Sequence, residues 1–290
     1  MFDGSCVVVT GSSGFIGRRV VELLEADGVA VVKVDSSGDD SLDIRDPVIS
    51  TIIPRGSVVV HLAALSTSGQ CRDNPSAAVD VNILGTLNLW KWAVDAGASR
   101  FVFASTEWVY GNSGGELPVS EDSDISLNNL SDTYAITKAA TESLLSASPG
   151  AIDLAVLRFG IVYGPRTSGW SAAESLLATV ASSDHVTVGS LQTSRRFIHV
   201  DDVARAVVFA ALGAGNYTLN IAGARLVTLA EVIDVAQILT GKSVAVIETA
   251  PSEATVRNPD PSLAREVLGW KAEIGFHDGM RQVAGYLGIS

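Results

Sequence analysis

The stretch Cys6-Val7-Val8-Val9-Thr10-Gly11-Ser12-Ser13-Gly14-Phe15-Ile16-Gly17, continued by Arg18-Arg19-Val20-Val21-Glu22-Leu23-Leu24, decides the fold. A short β-branched run feeds a Gly-x-x-Gly-x-x-Gly turn, and the turn opens an amphipathic helix. Glycines permit a tight turn and close backbone approach, while the first N–H groups of the helix suit a pyrophosphate. The backbone of Gly11, Ser13, Gly14, Phe15, Ile16 and Gly17 is therefore the expected dinucleotide cradle. A second strand, Ala30-Val31-Val32-Lys33-Val34, ends in Asp35. A carboxylate about twenty residues beyond such glycines accepts from both hydroxyls of an adenosine ribose and repels a 2′-phosphate. The expected cofactor is NAD rather than NADP, although an arginine such as Arg18 or Arg19 can accept a 2′-phosphate. A glycine turn that only packs a helix on a sheet is the bland alternative, and the strand–turn–helix context argues against it.

A second signal lies in Ser131-Asp132-Thr133-Tyr134-Ala135-Ile136-Thr137-Lys138. Four residues is about one helical turn, so Tyr134 and Lys138 project from one helix face. A phenol titrates near ~10 and is a poor base at neutral pH unless a fixed cation stabilises its phenolate. An ammonium one turn away can do that, which makes the spacing a candidate proton-transfer device. On its own the pattern also fits a solvated surface pair; the glycine turn upstream tips the reading toward chemistry.

Composition bounds the rest. At 290 residues the chain can bury a large core, and 47% hydrophobic with 18% charged residues describes a globular protein rather than a disordered one. No apolar run approaches the ~18–20 residues of a membrane span, and no basic-then-apolar leader opens the chain. A net charge of −12 without a basic tract argues against a nucleic-acid partner, so an anionic ligand must be held by local arginines and helix ends. Cys6 and Cys71 form neither a CxxC pair nor a disulfide framework, which suits a reducing cytoplasmic setting. Cys6 is expected buried and Cys71 exposed in a loop. His61, His185, His199 and His277 lack metal-ligand spacing, so no metal site is expected.

Strand signals at 6–10, 30–34, 58–62, 101–105 and 154–159 alternate with helix signals near 15–26, 77–96 and 132–147. That alternation predicts an α/β fold, a Rossmann-type doubly wound parallel sheet over residues 1–165 with returns from the C-terminal half. After Gly164-Pro165 the alternation fails. Helices near 170–182, 201–212 and 228–240, with strands near 186–188, 197–199, 217–221 and 244–247, predict a smaller mixed substrate domain over 166–290. The polar loop from Gly111 to Leu130 is long enough to be a substrate loop or lid. Leu263 to Trp270 reads as a short helix closed by a glycine cap. Asp201-Asp202, between a strand and a helix, reads as an N-cap rather than a catalytic carboxylate pair.

With these elements placed, the chain resembles the extended short-chain dehydrogenase/reductases, in their NAD-dependent sugar epimerase/dehydratase branch, the UDP-glucose 4-epimerase-like group. The resemblance runs through Asp43-Ile44-Arg45-Asp46, His61-Leu62-Ala63-Ala64, Val81-Asn82-Ile83-Leu84-Gly85-Thr86 and Ser105-Thr106-Glu107-Trp108-Val109-Tyr110-Gly111. It continues in Arg158 to Pro165, Arg196 to Ala204 and Leu268-Gly269-Trp270. It implies that Thr106 hydrogen-bonds the reacting oxygen and Tyr134 moves its proton. Lys138 would anchor the nicotinamide ribose and lower the tyrosine's pKa. Asp43, Ile44, Leu62, Ala63, Ala64 and Asn82 are implied at the cofactor, with Asn82 bonding nearby backbone and His61 packing at its strand end. Ser66, Thr106, Glu107, Trp108, Arg195 and Arg257 are implied at the substrate. A homodimer through the helices carrying Leu84, Leu87, Trp90, Ala139, Ala140 and Leu144 is implied too; the same residues also suit a plain core.

Three departures bear on activity. Trp108 stands where the 4,6-dehydratases carry a glutamate, which disfavours dehydration, though Glu107 beside it retains a carboxyl. Ile161 replaces the asparagine that touches a substrate diphosphate. Gly189 to Arg196 replaces a glycine-rich loop, leaving Arg195 and Arg196 adjacent, a pair suited to an anion. The expected function is NAD-dependent epimerisation of a nucleotide-linked sugar through a transient ketone. Net dehydrogenation or ketoreduction and 4,6-dehydration are enzymatic alternatives, and a non-catalytic NAD-binding regulator is the alternative from another class.

Overall fold

β1 (Val7–Thr10) is buried along its whole length, and a run of valines lets it sit between two covered faces. It belongs to a six-stranded sheet with β2 (Val31–Val34), β3 (Val58–His61), β4 (Arg100–Thr106), β5 (Asp153–Phe159) and the strand Tyr217–Ile221. The order is Tyr217–Ile221, β5, β4, β3, β1, β2, and every pairing is parallel. Chain order reverses between β1 and β3, and ligands of such sheets bind outside the strand ends at that switch. The computed structural model describes residues 6–38, 41–111, 115, 117–148, 152–169 and 171–289. Trp170, which begins the helix expected over 170–182, and Asn112, Ser113, Gly114 and Glu116 of the long loop lie outside them.

Helices cover both faces of the sheet. On one side α1 (Phe15–Ala26) buries Val20 and Leu24 in the same core as Val203 and Val207 of the helix Val200–Leu212. On the other, the helices Thr86–Ala96 and Thr133–Ala147 set Leu89, Trp90 and Leu145 against Phe101, Phe103 and Val156. A separate core joins the helices Ala172–Ser182, Leu229–Thr240 and Phe276–Tyr286 around Tyr163, Val186 and Phe197. No sequence expectation covered Phe276–Tyr286, although Phe276, Met280, Val283 and Ala284 fall at helical spacing and form its buried face. No helix among the described residues is long and apolar enough to cross a membrane.

Several local expectations need correction. The helix expected over 77–96 is three pieces: Pro75–Ala78, a π-helical stretch Val79–Gly85, and Thr86–Ala96. Asp201 and Asp202 do not cap their helix; the His199 ring accepts from the Asp201 amide instead. Asp201 pairs with Arg19 at 2.6 Å, and Asp202 accepts from the Glu273 and Ile274 amides and from Arg205. Cys71 is fully buried, its thiol directed at the Leu65 carbonyl, whereas Cys6 is only half-buried. Trp90 and Ala139 belong to the core, while Val79, Leu84 and Leu144 are 42%, 50% and 42% exposed.

Candidate active site

The turn after β1 is held by contacts that exclude side chains. Gly11 has φ +68°, and a Cβ there would lie 2.8 Å from the Ala63 amide nitrogen. A Cβ on Gly17 would lie 2.0 Å from the Gly11 carbonyl oxygen, so the third glycine is what lets α1 close on the turn. Gly14 caps α1 without a side-chain hydrogen bond, which leaves first-turn N–H groups facing the cleft. Asp35 accepts from the amides of Ser13 (2.8 Å) and Ser37 (3.0 Å) and from the Ser37 hydroxyl (2.5 Å). Burial pushes this carboxyl up, but the Ser37 and Ser13 hydrogen bonds outweigh it and hold the group below the usual carboxylate range. A fixed anion at the end of β2 beside an open helix N-terminus fits the ribose and pyrophosphate of a dinucleotide.

At the carboxyl end of β4, Lys138 is buried and its Nζ donates to the Ala104 carbonyl at 2.8 Å. It lies 4.7 Å from the Phe103 ring centroid and 6.0 Å from that of Tyr134. Burial pushes the ammonium down to about 8, while Glu142 one turn further along the helix holds it up. Glu142 is in turn gripped by Arg158 (Nη2, 2.8 Å) and accepts from the Ser105 hydroxyl. Thr106 caps the next turn by accepting from the Trp108 amide at 3.3 Å. Tyr134 departs from expectation: burial raises its pKa, and the hydrogen bond with Thr106 offsets only part of that. Lys138 directs one of its three N–H donors at a carbonyl, and with burial raising the phenol's pKa an ionised Tyr134 needs further positive charge beside it.

Asn82 and His61 serve as struts. The Asn82 amide exchanges hydrogen bonds with the Leu65 backbone (2.9 and 3.0 Å) and donates to Thr137 Oγ1 at 3.1 Å. It does not line the cleft, and it sits in the π-helical stretch Val79–Gly85. His61 spans Thr10 Oγ1 (2.7 Å) and Thr86 Oγ1 (2.8 Å), and burial, with the Lys138 charge behind it, pushes it down to about 3. It is a neutral ring that ties β1 to the helix beyond β3.

The glycine cradle, Asp35 and the Tyr134–Lys138 turn meet in one cleft of about 930 Å³. It is lined by the cradle from Gly11 to Gly17, by Asp35, Asp43 and Ile44, and by Leu62, Ala63, Ala64 and Ser66. Thr106, Trp108, Tyr134, Lys138 and Arg195 complete its reacting end. Asp43 reaches the cleft while bound to Arg45 Nη2 at 2.6 Å. Glu107 and Arg257 sit behind the wall, with the Arg257 guanidinium 4.1 Å from the Trp108 ring centroid. Arg196 corrects the expectation of two adjacent anion-binding arginines. It turns away to Asn258 Oδ1 and the Gly223 and Ala224 carbonyls, so that of the two it is Arg195, itself donating to the Ser194 and Thr255 carbonyls, that lines the cleft. Arg166, which carried no motif, lines the cleft 4.2 Å from the Phe15 ring centroid and donates to Glu174 at 2.8 Å. The signal that could have placed it is the capping box Ser171-Ala172-Ala173-Glu174. Among the described residues, no group of three His, Cys, Asp or Glu is placed to hold a metal ion.

The chain is similar to known proteins in sequence and in fold. The UDP-glucuronate 4-epimerase of Thermodesulfobacterium geofontis is 28% identical over 311 residues, covering 96% of this chain and 95% of that one. The structure of MoeE5 in complex with UDP-glucuronic acid and NAD superposes with a TM-score of 0.87 at 29% identity, covering 98% of this chain and 99% of the other. The UDP-glucose 4-epimerase of Thermotoga maritima, solved with UDP-glucose, gives a TM-score of 0.84 at 27% identity over 97% of this chain and 98% of its own. The model of the NAD dependent epimerase/dehydratase family matches residues 7–222. The chain, with its glycine cradle, Asp35 and buried Tyr134–Lys138 turn inside that match, belongs to the NAD dependent epimerase/dehydratase family.

Proposed function

We propose that this protein epimerises a UDP-linked sugar at C4 by reversible oxidation. The observation that carries the reading is one continuous cleft joining the Gly11–Gly17 cradle to Thr106, Tyr134 and Lys138. The relatives named as 4-epimerases of UDP-glucuronate and UDP-glucose supply the substrate class. The Gly11–Gly17 backbone and Asp35 would hold NAD, which would supply a hydride acceptor and donor for the sugar carbon. Thr106 holds the sugar hydroxyl; Tyr134, ionised where the positive charge of a bound nicotinamide would add to that of Lys138, takes its proton as the ketone forms and gives it back as the ketone is reduced. Lys138, kept cationic by Glu142 and fixed by the Ala104 carbonyl, supplies positive charge beside the phenol. Arg195 holds the distal diphosphate while the ketone turns over, an orientation effect worth several kcal/mol of barrier in general. Trp108 on the cleft wall, with Glu107 behind it, puts an indole rather than a carboxyl beside Thr106, which disfavours dehydration.

Tyr134→Phe keeps the ring and removes the transferable proton, so turnover of UDP-glucose or UDP-glucuronate should fall by roughly two to four orders of magnitude. Cofactor binding should survive that change, whereas Lys138→Ala should weaken both; near wild-type turnover of Tyr134→Phe rejects the mechanism. Asp35→Ala should erase the preference for NAD over NADP in a binding titration, and an unchanged preference removes Asp35 from the ribose site. We also propose pairing of two chains through the elements that expose Val79, Leu84 and Leu144. Light scattering at micromolar concentration should give twice the mass of the chain, and a monomer refutes the pairing.

A further inference from the structure

Arg195 and Arg257 stand directly opposite each other, partners in register on the neighbouring parallel strands Ser194–Arg195 and Val256–Arg257. Like charges so placed repel, and both side chains are largely withdrawn from water. Burial and then the Arg257 charge push the Arg195 guanidinium down to about 10. A counter-charge is needed, and Glu107, the first residue after β4, is a buried carboxyl whose charge both arginines favour. Asp132 acts on Arg257 as well, but not on Arg195. Glu107 is fully buried, and among the described residues neither of its carboxylate oxygens has a hydrogen-bond partner. Arg257 lies against Trp108, the next residue, so the guanidinium comes close to Glu107 without bonding to it.

A buried carboxylate without hydrogen bonds is held in its charged form only by the field around it. We propose that Glu107 is the proton-exchanging counter-charge of the Arg195–Arg257 pair, so that a diphosphate binding at Arg195 drives Glu107 to take up one proton. The balance is simple: the incoming diester brings two negative charges, the carboxylate becomes a carboxylic acid, and the proton comes from solvent. No other bond changes. Burial already pushes the Glu107 carboxyl up to about 7, opposed by Arg257 and Arg195. An anion at Arg195 weakens that opposition and raises it further. The coupling therefore operates above about pH 7, where Glu107 is ionised before binding, and fades below it, where the proton is already present. Glu107 thereby acts through the arginines as a positioning residue, setting how tightly they hold an anion at a given pH.

This inference rests on the UDP-sugar reading, and the test separates the two. The NAD-loaded protein is titrated calorimetrically with UDP-glucose, whose diphosphate carries a fixed charge near neutral pH, in buffers of different ionisation enthalpy. The wild type should take up a substantial fraction of one proton near pH 7.5, and its Kd should rise with pH above 7, by at most about tenfold per unit for one coupled proton. Glu107→Gln should bind with no proton uptake and a flat pH profile; Glu107→Ala, or the wild-type titration alone, decides the matter if that variant does not fold. Binding without proton uptake in the wild type, or uptake that persists in Glu107→Gln, overturns the inference while leaving the functional reading intact. Failure of the wild type to bind UDP-glucose or UDP-glucuronate at all overturns the functional reading and this inference with it.

Discussion

The ammonium of Lys138 is taken out of water at the end of β4, and much of the site is arranged to make that tolerable. Removing a charge from water is expensive unless dipoles and opposite charges replace the hydration. The Ala104 carbonyl, the face of Phe103 and the carboxylate of Glu142 provide the replacement. Glu142 needs its own partners, which are Arg158 on β5 and Ser105 on β4. Two neighbouring strands and the helix Thr133–Ala147 are therefore locked together by one chain of buried polar contacts. Thr106 and Tyr134, which flank that chain, inherit their positions from it.

The same logic of replacement governs the anion end. The chain carries a net charge of −12, so no overall attraction brings a diphosphate in. Affinity must come from Arg195 and from helix ends near it, and two opposed arginines need compensation before any ligand arrives. Glu107 gives that compensation in a form that a proton can switch off. The adjacent Trp108 covers it from the cleft, so the residue pair 107–108 separates charge control from the reacting centre.

What the sequence made legible was local. The spacing of Gly11, Gly14 and Gly17 and the place of Asp35 follow from backbone sterics and strand length, and the spacing of Tyr134 and Lys138 follows from helix pitch. The strand runs of the main sheet were legible because valine-rich segments buried on both faces leave little else to be. Contacts between distant segments were not. Nothing around position 82 announces a π-helical turn reaching Leu65, and nothing around position 196 says that its guanidinium will be consumed by the Gly223 and Ala224 carbonyls. Asp201 and Asp202 look like caps until Arg19 and the 273–274 backbone claim them. The expected depression of the Tyr134 pKa failed for a related reason: helical spacing reveals a neighbouring cation but not the cost of burying the phenolate.

The central claim is that the sugar is oxidised and reduced within one turnover, with the hydrogen never leaving the site. UDP-glucose and UDP-glucuronate carrying deuterium at C4, incubated with the NAD-loaded protein in ordinary water, test it by mass and magnetic resonance of the product. The account predicts a C4 epimer of at least one of them with the deuterium retained at C4. An epimer that has lost the label to solvent, or no epimer from either sugar, contradicts it.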